Sequence, residues 1–248
     1  AEGMLSNERF ISKAPEAKVQ EEREKLQKQH CISVIGGGGK TSFCFALGDK
    51  FSKQEKTIVT TTTHMLYPKH LTSKQISLSE DIREIQSKLS SNLLFLAKPY
   101  QGKKLQSVSS EVLSAALSCC DKMIIEADGS RQYPLKFEKE NEPAVPSFCE
   151  CVIQIVGASA FHKKACETIH RYPLAKQHFQ WKEDTRVDVS LMAQLITYNF
   201  NKTHAQQKIV IINQMDTVTD KHLLAPLKQI LPYPVYFFSL LNDIVYKM

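Results

Sequence analysis

Short apolar runs rich in β-branched residues recur along the chain at Cys31–Ile35, Thr57–Thr63, Leu93–Ala97, Met123–Ala127, Val152–Val156, Ile209–Asn213 and Val235–Ser239. Each is of strand length and apolar on both faces, as strands buried inside a parallel sheet are. Between most of them lie stretches with helical spacing: Thr41 to about Phe51, Asp81–Ser90, Ser109–Ser118, Val187–Phe200 and Asp220–Ile230. Strands that alternate with helices predict an α/β fold of three layers, a largely parallel sheet with helices on both faces. Pro99 and Gly102 within Lys98–Lys104 predict a chain reversal, a hairpin. Residues 1–30 are polar, and Glu16–Gln29 is rich in helix formers, so this part reads as a surface helix or arm. Residues 31–248 read as one nucleotide-binding domain.

Composition narrows this picture without naming a function. The 248 residues are 42% hydrophobic and 23% charged, within the range of ordinary globular chains. The formal charge is +6, yet Lys and Arg are scattered among acids rather than gathered in a stripe, which argues against a nucleic-acid partner. A modest positive balance suits an anionic small ligand. No apolar run approaches the roughly 20 residues of a membrane span, and Ala1–Phe10 lacks the apolar core of a signal peptide. A cytoplasmic protein is expected. The seven cysteines lack zinc-site spacing and fall largely in apolar stretches, as reduced thiols do. Cys149 and Cys151 would share one face of a strand; the reading adopted is that they open an apolar strand rather than bind a soft metal or selenium.

The chemistry concentrates where the first apolar run meets Gly36-Gly37-Gly38-Gly39-Lys40-Thr41. Consecutive glycines let backbone N–H groups face an anion with no Cβ in the way, and the N-terminus of the following helix adds its positive end. Lys40 would reach the β and γ phosphates, Thr41 would ligate Mg²⁺, and Ser42 lies in the same first turn. One departure stands out: the usual spacing wants a glycine six residues before the lysine, where this chain has Val34.

Three further strand ends carry candidates. Glu126 and Asp128 end the fourth run, where ligands of open α/β sheets gather. Asp128 is assigned to the metal, and Glu126 to polarising water or to an outer role. Thr63 and His64 end the second run and could contact phosphate or metal-bound water. Asn213-Gln214-Met215-Asp216 follows the sixth run and is similar to the Asn-Lys-x-Asp motif with which GTPases read guanine, Gln214 replacing the lysine. A carboxylate there accepts from guanine's ring N–H and amino group. Phosphate loop, Thr-rich end, acidic end, Asn213–Asp216 and Phe237-Phe238-Ser239 follow the order of a GTPase-like domain. The candidate catalytic residues are Lys40, Glu126 and Asp128, and the expected cofactors are Mg²⁺ with GTP or ATP.

Ile32–Thr41, Val59–Met65 and Ile124–Lys136 together resemble the YqeC family. The most specific stretch is Glu126-Ala127-Asp128-Gly129-Ser130-Arg131, followed by Pro134-Leu135-Lys136 and Glu140-Asn141-Glu142-Pro143. The resemblance implies a P-loop NTPase-like accessory factor in the maturation of selenium-dependent molybdenum hydroxylases, whose partner would be such an enzyme or its cofactor. In the segments it singles out, Arg131, Lys136, His170 and Arg171 could bind a second anionic group, with solvated surface charge as the competing reading. A nucleotide-responsive chaperone or switch, or a small-molecule kinase or ligase, would use the same residues.

Overall fold

The computed structural model describes residues 30–246, so the helix or arm expected before residue 30 lies outside the described residues. Two compact units emerge: the first holds residues 30–33, 41–127 and 148–150, the second residues 34–40, 128–147 and 151–246. Strand β1 (Cys31–Gly36) and helix α1 (Lys40–Phe51) carry the chain between them, with Gly37, Gly38 and Gly39 in the connecting turn.

In the first unit, strands β8 (Lys122–Glu126), β2 (Thr57–Thr61), β5 (Leu93–Leu96) and β4 (Ile76–Ser77) lie in that order, all parallel. Every residue of these four strands is buried, which is why the sequence shows continuous apolar runs rather than alternation. Helix α2 (Ile82–Lys88) starts where the Asp81 carboxylate accepts from Arg83 N–H, and α3 (Ser110–Leu117) where the Ser109 hydroxyl accepts from Val112 N–H. The expected hairpin is present: β6 (Lys98–Pro99) and β7 (Lys104–Gln106) pair antiparallel, and β7 pairs in turn with β3 (His64–Leu66).

The second expected strand is shorter than the apolar run suggests. It stops at Thr61, whose hydroxyl accepts from Thr63 N–H at 3.1 Å and so offers the backbone a local bond in place of a ladder bond. The chain then enters the small antiparallel sheet at His64.

In the second unit, β10 (Cys151–Gly157), β12 (Gln207–Asn213) and β13 (Val235–Ser239) run parallel, with β14 (Ile244–Tyr246) antiparallel at β13. Helix α6 (Val189–Asn201), capped by Asp188, buries Leu191, Met192, Leu195, Ile196, Asn199 and Phe200, one stripe at helical spacing. The helix expected over Asp220–Ile230 is a short 3₁₀ turn, Lys221–Leu224, followed by helix α7 (Leu227–Ile230). Pro226 has no N–H to give and sits at the cap of the second piece, so the helical pattern cannot run through it. The apolar pattern also leaves unmarked β9 (Leu135–Lys136), its parallel partner β11 (Ile169–His170), helix α5 (Tyr172–Phe179) and the single turn α4 (Ala165–Thr168) before β11. Cys151 opens β10 fully buried, and Cys149 lies ahead of it. Among the described residues no helix is long and apolar enough to cross a membrane.

Candidate phosphate site and the buried charges behind it

In the second unit the glycine turn is held from below by Asp128. Gly36 N–H donates to Asp128 Oδ2 at 2.7 Å, and Lys40 Nζ lies 2.8 Å from Asp128 Oδ1 while donating to Gly36 O at 2.5 Å. Gly36 takes φ +95° and Gly38 φ +82°, and a Cβ on Gly38 would stand 2.5 Å from Gly157 N. Only glycine satisfies both the positive φ and that approach. The residue six places before Lys40, Val34, is wholly buried in β1, so the departure from the usual spacing falls in the strand and leaves the turn itself all glycine.

Asn213 and Asp216 stand in the same unit as the glycine turn. Asn213 Nδ2 donates to Gly38 O at 2.8 Å, and its Oδ1 accepts from Leu240 N–H at 3.0 Å. One amide thus braces the loop against the segment after β13. Asp216 is exposed, and its carboxylate accepts from the Ser239 hydroxyl at the end of β13. Gln214 adopts φ +64°, and its Oε1 accepts from Ser159 Oγ at 2.6 Å. The side chain that replaces the lysine of the GTPase motif therefore packs toward the Gly157–Ala160 turn.

Behind Asp128 is a charge cluster that the sequence did not announce. Lys136 Nζ lies 3.1 Å from Asp128, 2.7 Å from Glu138 and 3.0 Å from Glu142, and the side chains of Lys136, Asp128 and Glu138 are 0% exposed. These contacts are those of charge rather than of directed hydrogen bonds. Arg171 closes the chain on Glu142, with Nη2 donating to Oε1 at 2.7 Å and Nη1 to Oε2. Asn199 from α6 satisfies the local backbone, accepting from Glu138 N–H at 3.2 Å and donating to Lys136 O at 2.9 Å.

Titration follows from this packing. Burial opposes the charge on Asp128, but Lys40, the Glu138 carboxyl and Lys136 outweigh it and hold its pKa well below the usual carboxylate range. Burial resists Glu142 likewise, yet the hydrogen bonds from Arg171 and the positive charge of Lys136 bring it down to about 2. Glu138 goes the other way, pushed up to about 10 by burial and by the negative charge of Asp128. His170 is lowered to about 4 by burial and then by Arg171, Lys136 and Arg131, so it is neutral at neutral pH.

These distances correct the reading of Lys136 and Arg171 as cations facing a second anionic ligand or solvent. Both are matched to carboxylates inside the protein, while Arg131 alone of the four is exposed at a turn. The available signal was the alternation Leu135-Lys136-Phe137-Glu138, which puts the two charged residues on one side of an extended chain.

The raised pKa of Glu138 gives a prediction with a definite sign. From its ordinary value of 4.5 up to about 10, the folded form holds a proton that the unfolded chain has released. Glu138 therefore contributes stability that is full below 4.5 and declines as pH rises toward 10. Glu138→Gln keeps the neutral shape and is expected to flatten the fall in stability between pH 5 and pH 9. Urea denaturation of both proteins at several pH values checks this; parallel pH profiles would contradict it.

In the first unit, Thr41 Oγ1 donates to Glu126 Oε2 at 2.7 Å. The Glu126 carbonyl accepts from Thr61 Oγ1 at 2.9 Å and from Thr62 N–H at 3.1 Å, so the threonine-rich strand end is tied to the end of β8. Thr63 joins through its N–H to Thr61. Ser42 is exposed in the first turn of α1. His64 is exposed at the start of β3, its ring 4.3 Å from that of Tyr100. Among the described residues no three His, Cys, Asp or Glu side chains converge as a metal-holding group.

A buried strand that ends in glycines, with Lys-Thr opening the next helix and acids ending the parallel strand β8, defines an α/β fold of the P-loop NTPase-like class. The chain belongs to the YqeC family, whose profile, described as YqeC protein, matches residues 32–173. It is 29% identical over 213 residues to the "Uncharacterized protein YqeC" of Escherichia coli (strain K12), covering 80% of this chain and 82% of the relative. Among solved structures it is similar to HypB from Helicobacter pylori in complex with nickel, at 12% identity and a TM-score of 0.40, covering 92% of this chain and 86% of that one.

Proposed function

We propose that the chain binds Mg²⁺-GTP and hydrolyses it, acting in the cytoplasm as an accessory factor in the maturation of selenium-dependent molybdenum hydroxylases. The observation that carries the nucleotide assignment is the bracing of the base-reading residues to the phosphate loop: Asn213 bonds Gly38 O and Leu240 N–H, and Ser239 holds the Asp216 carboxylate. A fixed carboxylate that only accepts suits guanine, which offers two adjacent donors, and not adenine. This favours GTP over ATP.

Chemistry at such a site is positioning and charge neutralisation. Lys40 leaves Asp128 for the phosphates, and the loop N–H groups take up their oxygens. The Thr41 hydroxyl and, of the two acids, Glu126 would hold Mg²⁺, which would neutralise phosphate charge when bound. The hydrogen bond between Thr41 and Glu126 supports that choice, whereas Asp128 is fully buried against Gly36 N–H, Lys40 and Lys136. A site with few protein ligands is normal for Mg²⁺ that keeps waters and binds phosphate. The link to hydroxylase maturation rests on family resemblance.

The base assignment is tested by Asp216→Asn. An amide still accepts from the ring N–H but offers a donor where the carboxylate accepted from the amino group, so it matches xanthine. GTP affinity is expected to fall about 100-fold, the value of losing charged hydrogen bonds worth about 3 kcal/mol, while xanthosine triphosphate gains. Equal binding of GTP and ATP by the native chain, unchanged in the variant, would sink the guanine reading.

A further inference from the structure

The most specific stretch of the chain, Glu126–Arg131 followed by Pro134-Leu135-Lys136, includes a turn that no role above absorbs. That turn rests on the phosphate loop. Gly37 N–H donates to Ile155 O at 2.9 Å and Gly38 N–H to Tyr133 O at 3.1 Å. A phosphate needs such inward N–H groups. Of the acceptors they now meet, Ile155 belongs to a central strand, whereas Tyr133 belongs to a surface turn. A Cβ on Gly37 would stand 2.5 Å from the same Tyr133 carbonyl, which shows how closely the turn lies on the loop.

The turn is closed by Tyr133 N–H donating to Ser130 O at 3.0 Å, with Arg131 at φ +48° and Gln132 at φ +66° between them. Two positive φ values are what Asn-Gly adopts readily in a tight turn, and Arg and Gln hold them against steric resistance. Two contacts keep it down: Gly157 N–H donates to Pro134 O at 2.8 Å, and the Tyr133 ring stacks on His170 with centroids 5.8 Å apart. The turn is thus strained, exposed at its tip, and held by an acceptor that an anionic phosphate oxygen outcompetes.

We propose, resting on the nucleotide reading above, that residues 130–134 are a plug on the phosphate loop which the bound triphosphate displaces. The phosphate takes the Gly38 N–H from the Tyr133 carbonyl. The turn relaxes, the Pro134–Gly157 bond opens, and the freed Arg131–Tyr133 turn reports occupancy of the site at the protein surface.

Hydrogen exchange and calorimetry on the full chain with Mg²⁺-GTP test this. Addition of GTP is expected to speed exchange at Gly157 while the loop amides stay protected. Arg131→Asn/Gln132→Gly, which removes the strain of the plugged form without touching the loop, is expected to weaken GTP binding about 10-fold. Tyr133→Ala, which removes the stack on His170 and keeps the carbonyl, is expected to tighten it. If GTP binds but Gly157 exchange does not change and the double variant binds as the native chain does, the plug is overturned and the nucleotide reading stands. If neither the native chain nor Tyr133→Ala binds GTP or ATP, the nucleotide reading itself falls.

Discussion

Lys136→Met is expected to lower the free energy of unfolding by about 3–5 kcal/mol, the usual loss when one partner of a buried ion cluster is removed. Lys136 is the common neighbour of Asp128, Glu138 and Glu142, all within 3.1 Å of its ammonium and none more than 16% exposed. Methionine fills a similar volume, so the change isolates charge from packing. Without the ammonium, Glu142 keeps Arg171 and Asp128 keeps Lys40 and the Gly36 N–H, but the two carboxylates lose the cation between them. Urea unfolding of both proteins gives the difference directly. A change under about 1 kcal/mol, the scale of exposed pairs, would mean that water compensates these charges.

Lys40→Ala is the second large effect, and it separates binding from folding. In the structure Lys40 serves Asp128 and Gly36 O. Its loss leaves Asp128 with Lys136 and the Gly36 N–H, so the fold persists. At the nucleotide the loss is not shared in this way, because Lys40 is the one cationic residue of the loop sequence Gly36–Thr41. Truncating one side of a desolvated charged contact costs about 2–5 kcal/mol, so GTP affinity is expected to drop by at least about 30-fold. An unchanged affinity would remove Lys40 from the site.

The parts of this fold that could be read from sequence are those in which one local pattern decides the outcome. An apolar run, four glycines and Lys-Thr have few alternatives as strand, turn and helix start, and β1 and α1 lie where the pattern puts them. The strands β5, β8, β10, β12 and β13 were legible for the same reason. Where a side chain competes with the backbone the reading fails: Thr61 ends β2 by bonding Thr63 N–H, and Pro226 splits the pattern after Asp220.

The candidate site divides in the same way. The spacing Asn213–Asp216 was visible, but the partners that give it meaning, Gly38 O, Leu240 N–H and Ser239, lie far along the chain and only folding brings them near. Buried charge was least legible of all. Lys136, Glu138 and Arg171 are residue types that composition assigns to the surface, and only the pairing of β9 with β11 and the approach of Asn199 place their neighbours. The same holds for the turn at Tyr133, whose backbone carbonyl leaves no mark in the sequence.

Calorimetric titration of the full chain with GTP and with ATP, each with and without Mg²⁺, bears most directly on the glycine loop as a nucleotide site. Binding of GTP is expected to depend on Mg²⁺, to be stronger than that of ATP, and to disappear in Lys40→Ala. Absence of heat with both nucleotides in the native chain, or binding that Lys40→Ala leaves intact, would contradict it.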